Sequence, residues 1–94
     1  MRLSKEEITL LKNKLYELSS DARLYLFGSR VDDTRRGGDI DLLILSDKLR
    51  KKDLRKLRLS FFEKFGEQKM DIVIDDGTLT NPFTKLIFQK AVLL

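Results

Sequence analysis

The sequence predicts an α/β domain, a small sheet with helices packed on it, and three observations carry that prediction. Arg23–Phe27, Asp39–Leu45 and Lys69–Asp75 are short, apolar and of strand length. Ile8–Leu18 and Leu54–Phe65 instead repeat their apolar residues at helical spacing. The two kinds of segment alternate, and strands separated by helices build a layered sheet. The predicted order is α-β-α-β-α-β-α, within one domain spanning residues 1–94.

Composition narrows the chemistry. A chain of 94 residues supports one thin core. With 41% hydrophobic and 36% charged residues, it is expected to fold and stay soluble. Cysteine is absent, which excludes disulfides and thiolate metal sites. Histidine is absent too, so a bound metal would be held by oxygen, as Mg²⁺ or Mn²⁺ are. No apolar run reaches the length of a membrane span, and the start, Met-Arg-Leu-Ser-Lys-Glu-Glu, has no apolar signal segment behind it. A cytoplasmic protein is the default expectation. The formal net charge of +4 would suit a polyanionic partner, nucleotide phosphates or nucleic acid.

The elements follow in order. Ser4 and Glu7 form a capping-box signature, and Ile8, Leu11, Leu15 and Leu18 give the first helix its apolar face. Gly28 ends the first strand, and a short helical turn is expected from Ser29. Val31 to Gly38 is polar and closes on two glycines, as a loop or frayed helix would. Asp39–Leu45 is the strongest strand signal. The second long helix runs from about Arg50 to Phe65, with Leu54, Leu57, Phe61, Phe62 and Phe65 on one side and Lys51, Lys52, Arg55, Lys56 and Arg58 on the other; Gly66 is its C-cap. After the third strand, Asp76-Gly77 turns the chain and Pro82 opens a last helix, with Phe83, Leu86 and Ile87 expected as its buried stripe.

Three aspartates stand out. Asp39 and Asp41 alternate on one strand, so they face the same side with Cα atoms about 6.5 Å apart, a spacing at which carboxylates can share one or two metal ions. Ile40, Leu42 and Ile44 face the core. Asp71 lies in the apolar run Met70–Ile74 and shares a face with Val73 and Asp75. If its strand lies beside the Asp39–Asp41 strand, three carboxylates converge, and they repel unless a cation sits between them. The competing readings are solvent-exposed polar residues at a strand end for Asp39 and Asp41, and a salt bridge to a neighbouring lysine or arginine for Asp71. Upstream, Gly28-Ser29-Arg30 follows a strand and opens a helical turn, an arrangement that can hold phosphate through backbone N–H groups, the Ser29 hydroxyl and the Arg30 charge. Alone, it is an ordinary turn with a serine cap.

Taken together, Gly28-Ser29-Arg30, Gly38-Asp39-Ile40-Asp41-Leu42 about ten residues on, and Asp71 in a later apolar strand resemble the DNA polymerase beta-type nucleotidyltransferase superfamily. The short length resembles its minimal nucleotidyltransferase branch. The resemblance implies a small mixed sheet flanked by helices. It implies a metal-dependent enzyme, with Asp39 and Asp41 on the catalytic metals and Asp71 completing the site and helping to activate the attacking hydroxyl. It assigns Gly28 and Ser29 to the β- and γ-phosphates of a nucleoside triphosphate, ATP being the expected one, with Arg30 or Arg36 near phosphate. Two Mg²⁺ or Mn²⁺ ions would clamp the α-phosphate while pyrophosphate leaves. The charge-rich stretch from Asp32 to Arg36 departs from the small residues common among relatives.

Some minimal members resemble antitoxins that modify a HEPN-type helical toxin with a nucleoside monophosphate. A partner protein or self-association is therefore implied, with apolar Phe88, Val92, Leu93 and Leu94 either forming the contact or packing on their own sheet. The alternative to a transferase is a non-catalytic antitoxin that masks its partner. A third reading, a nucleic-acid binder using the basic helix face, lacks interleaved aromatics for base stacking.

Overall fold

The computed structural model describes residues 2–32 and 38–94. Residues 33–37, within the predicted loop and including Arg36, lie outside the described residues.

Helix α1, Lys5–Leu18, starts at Ser4 with the reciprocal bonds of a capping box. Ser4 Oγ accepts from the Glu7 N–H at 3.1 Å, and Glu7 Oε1 accepts from the Ser4 N–H at 2.9 Å. Strand β1, Arg23–Phe27, leads into a 3-10 turn at Gly28–Val31, which stands where the predicted order has its second helix. Strand β2 is Ile40–Leu45, so Asp39 sits just before it. Helix α2, Lys51–Phe65, opens where Asp53 Oδ2 accepts from the Arg50 N–H at 2.9 Å, and closes where the Gly66 N–H donates to the Phe62 carbonyl. Strand β3 is Met70–Asp75 and helix α3 is Pro82–Lys90, with Asn81 Oδ1 capping the Phe83 N–H at 2.8 Å.

The strands form a mixed sheet in the order β3-β2-β1-β4. Strand β1 runs antiparallel to β2, and β2 parallel to β3. The two-residue strand β4, Val92–Leu93, is a pairing that the sequence does not announce; it runs antiparallel along β1. The C-terminal residues thus pack on their own sheet in part: Leu94 donates to the Leu24 carbonyl at 3.0 Å and the Phe88 ring meets Tyr25 edge-on at 5.2 Å, while Leu93 remains 62% exposed.

Alternation divides the sheet. Leu24, Leu26, Ile40, Leu42, Ile44 and Met70 face α1 and α2, where Leu11, Leu15, Leu54, Leu57 and Phe61 complete the core. Tyr25 and Leu43 lie on the other face, and Tyr25 packs beneath α3. That helix presents a different stripe from the predicted one. Phe83 and Leu86 are 60% and 63% exposed, whereas Thr84 is buried and Ile87 and Phe88 are half-buried. The reason is a polar anchor: Thr84 Oγ1 donates to buried Asp75 Oδ1 at 2.7 Å. This bond fixes the helix rotation that places Thr84 and Phe88 inward, about 100° and about 140° around the axis from Phe83.

Candidate active site

Pairing along the sheet assembles the acidic face. In the parallel register Asp41 stands opposite Asp71, and in the antiparallel register it stands opposite Phe27, the residue before Gly28-Ser29. The same register, continued one residue, sets Asp39 beside Lys69; the Lys69 ammonium lies 3.3 Å from Asp39 Oδ2. The three sequence-predicted carboxylates therefore belong to one face at one end of two adjacent strands. Helix α3 packs further along, at Tyr25, and Asp71 is exposed.

Asp41 bears the electrostatic cost. Burial pushes its carboxyl above the ordinary range, the charges of Asp71 and Asp39 push it further, and Lys69 draws it back. The Lys69 ammonium is held more firmly protonated by its hydrogen bond to Asp39, by the Asp39 and Asp71 charges against slight desolvation, and by Asp41.

The Gly-Ser turn is built into this face by two close approaches. A Cβ on Gly28 would collide with Asp41 Oδ2, and Gly28 adopts φ +77°, a left-handed conformation that favours glycine. A Cβ on Gly38 would collide with Ser29 Oγ. Each motif thus leaves the space that the other's polar side chain fills.

Two arginines fasten the arrangement. Arg2 Nη2 donates to the Ser29 carbonyl at 3.0 Å, and Arg2 Nε to the Asp32 carbonyl at 3.3 Å. Arg30, weighed above for phosphate, directs its guanidinium to the Arg2 carbonyl at 3.0 Å, Gln68 Oε1 at 3.3 Å and the Gly38 carbonyl at 3.4 Å. It ties together the N-terminal segment, the approach to β2 and the approach to β3. Sequence reasoning missed Arg2, Gln68 and Lys69. Lys69 had a legible signal, since it lies two residues before Asp71 and alternation puts both on one face. The contacts of Arg2 and Gln68 join residues far apart in the chain and have no local signature.

Among the described residues, no group of three or more carboxylates stands close enough to form a ready-made metal cage. The donor chemistry nevertheless fits a hard divalent cation: the site offers carboxylate oxygen alone, it is under like-charge repulsion, and Asp39 is already paired with a cation, Lys69. An open cleft of about 540 Å³ between α1 and α2, lined by Lys5, Glu6, Leu10, Ser60 and Lys64 among others, lies away from this face.

A mixed sheet carrying acidic residues at the start of β2 and on β3, beside a Gly-Ser turn after β1, defines a nucleotidyltransferase-type domain. The family model described as "Nucleotidyltransferase domain" matches residues 8–92, nearly the whole chain, and the protein belongs to that family, as a minimal nucleotidyltransferase of the polymerase beta-like superfamily. Its activity class is nucleotidyl transfer. No curated protein matches the chain. No helix among the described residues is long and apolar enough to cross a membrane.

Proposed function

We propose that this domain transfers a nucleoside monophosphate, AMP from ATP, to a hydroxyl acceptor in a reaction that requires divalent metal. The observation that carries the reading is the pairing of Asp41 with Asp71 on adjacent strands, with the bare Cα of Gly28 against the Asp41 carboxylate. Asp39, Asp41 and Asp71 would hold Mg²⁺ or Mn²⁺. When bound, the cations supply Lewis-acid stabilisation of charge on the phosphoryl oxygens.

The chain's own residues do the rest. Backbone N–H groups of the turn at Gly28-Ser29, with the Ser29 hydroxyl, hold the β- and γ-phosphates. Exposed Asp71 accepts the proton of the acceptor hydroxyl as its oxygen attacks the α-phosphorus. The bond from the α-phosphorus to the bridging oxygen breaks, and pyrophosphate leaves with that electron pair. Arg30, with three carbonyl or amide oxygens as partners, serves to position the turn and the two strand entries rather than to bind phosphate.

The acceptor is best placed on a partner protein, such as a HEPN-type helical toxin. Phe83, Leu86 and Leu93 are large, apolar and exposed, which supports a protein-facing surface. The same exposure favours the second reading, a module that binds and masks its partner without modifying it. Incubating α-labelled ATP and Mg²⁺ with the protein and host lysate separates the two. Label on one acceptor with the wild type, and none with the Asp39, Asp41 and Asp71 triple variant, supports transfer. A complex that survives loss of all three carboxylates, with no label in either sample, supports masking.

A further inference from the structure

We infer that Lys69 is a resident counter-cation of the acidic face, one that competes with divalent metal for Asp39 and sets how tightly the site takes up its ion. The inference rests on the metal-dependent reading above and adds to it a residue that tunes cation affinity.

The register puts Lys69 alongside Asp39, one step before the Asp41–Asp71 pair, and its ammonium lies 3.3 Å from Asp39 Oδ2. All three carboxylates help to keep its ammonium charged, and it in turn favours the charged form of Asp41. It is 72% exposed, against 38% for Asp39, so the flexible stem can leave Asp39 by rotating into water. A structural ion pair on an exposed surface contributes little to stability. Here the pair instead offsets repulsion among three like charges. A carboxylate that accepts from an ammonium has one oxygen committed, so a divalent ion at Asp39 either displaces that bond or binds through the other oxygen, and in both cases meets an adjacent positive charge. Removing the lysine charge leaves the carboxylates with their mutual repulsion and a stronger pull on any cation.

The test is a Mn²⁺ titration of the full chain, without nucleotide, following the electron paramagnetic resonance signal of free ion, for wild type, Lys69→Met and Lys69→Arg. Lys69→Met is expected to bind Mn²⁺ roughly two- to fivefold more tightly than wild type, from the loss of one nearby exposed charge. Lys69→Arg is expected to stay near wild type. The melting temperature of Lys69→Met should also rise more on adding Mn²⁺ than that of wild type. Equal or weaker binding by Lys69→Met overturns the inference and leaves the metal reading standing. If no variant binds Mn²⁺, both fall. Binding by Lys69→Met alone supports the inference in its strongest form.

Discussion

Gly28 and Asp41 occupy one another's space: the Asp41 carboxylate stands where a side chain on residue 28 would begin. The Gly-Ser turn and the acidic strand are thereby locked at a fixed separation, with Phe27 and Asp41 as cross-strand partners. Gly28→Ala combines left-handed backbone strain, about 1–2 kcal/mol, with a clash that must displace Asp41. Transfer should fall by about 100-fold, the scale expected for a displacement of roughly 1 Å at a reacting centre. Gly66→Ala is the matched control. Gly66 has φ +88° and open space around its Cα, so the variant should carry the strain and keep the activity. Melting curves and initial rates for the two variants check this. Equal loss of activity in both would mean that strain alone is responsible.

Asp41 is held at the site against its own electrostatic preference. Its folded-state pKa lies above the ordinary value of 3.8, first through burial and then through Asp71 and Asp39. The charged form is therefore penalised by folding. That penalty is fully present above the folded pKa and disappears as pH falls below the unfolded one. Asp41→Asn should raise metal-free stability at neutral pH by about 0.5–1 kcal/mol, a few degrees in melting temperature for a domain of this size. The gain should vanish near pH 3. Transfer should drop by more than about 100-fold, since even outer partners of metal sites cost 10–100-fold. Melts in chelator across pH, alongside rate measurements, test both halves. A destabilised Asp41→Asn protein at neutral pH would contradict the argument.

The candidate carboxylates were legible in the sequence because alternation is local: Asp39 and Asp41 must share a face, and Asp71 interrupts an apolar run. That they share one face of adjacent strands needed the β2–β3 register, which no local pattern encodes. The core stripes of α1 and α2 were legible for the same reason, Leu11, Leu15, Leu54, Leu57 and Phe61 all being buried. In α3 the rule misled. Hydrophobicity pointed to Phe83 and Leu86, but one buried hydrogen bond, from Thr84 to Asp75, decided which side faces inward. Strand β4 was missed because two residues are too few to show a period.

Asp75 is the polar centre of the end of the sheet remote from the Gly-Ser turn. Burial would raise its pKa, but hydrogen bonds from Thr84 Oγ1 and the backbone N–H groups of Leu79 and Gly77 outweigh it, and the carboxyl sits below its ordinary value. A lowered carboxylate pKa gives stability that is present above the unfolded value of 3.8 and lost as pH falls through the folded one. Asp75→Asn should cost about 1.5–3 kcal/mol at neutral pH, the range for bonds to a charged group. Its acid denaturation should also lack the steepening expected of wild type below about pH 4. Urea unfolding at pH 7 and pH 3 measures the difference. An equal loss for Asp75→Asn at both pH values would show that packing, not charge, anchors α3.

The rotation of α3 makes a prediction opposite to the one hydrophobicity suggests. If Phe83 and Leu86 were core residues, truncating them would cost about 2–5 kcal/mol each. Exposed as they are, Phe83→Ser and Leu86→Ser should each change stability by no more than about 0.5 kcal/mol. Neither residue belongs to the acidic face or the Gly-Ser turn. Transfer to a small hydroxyl acceptor should therefore be unchanged in the double variant, while modification of a protein acceptor recruited through α3 should fall by about tenfold, the effect of losing roughly 1.4 kcal/mol of contact. Parallel assays with the two kinds of acceptor read this directly. Equal loss on both acceptors would place Phe83 and Leu86 in the fold's support of the site, and no loss on either would move the partner contact away from α3.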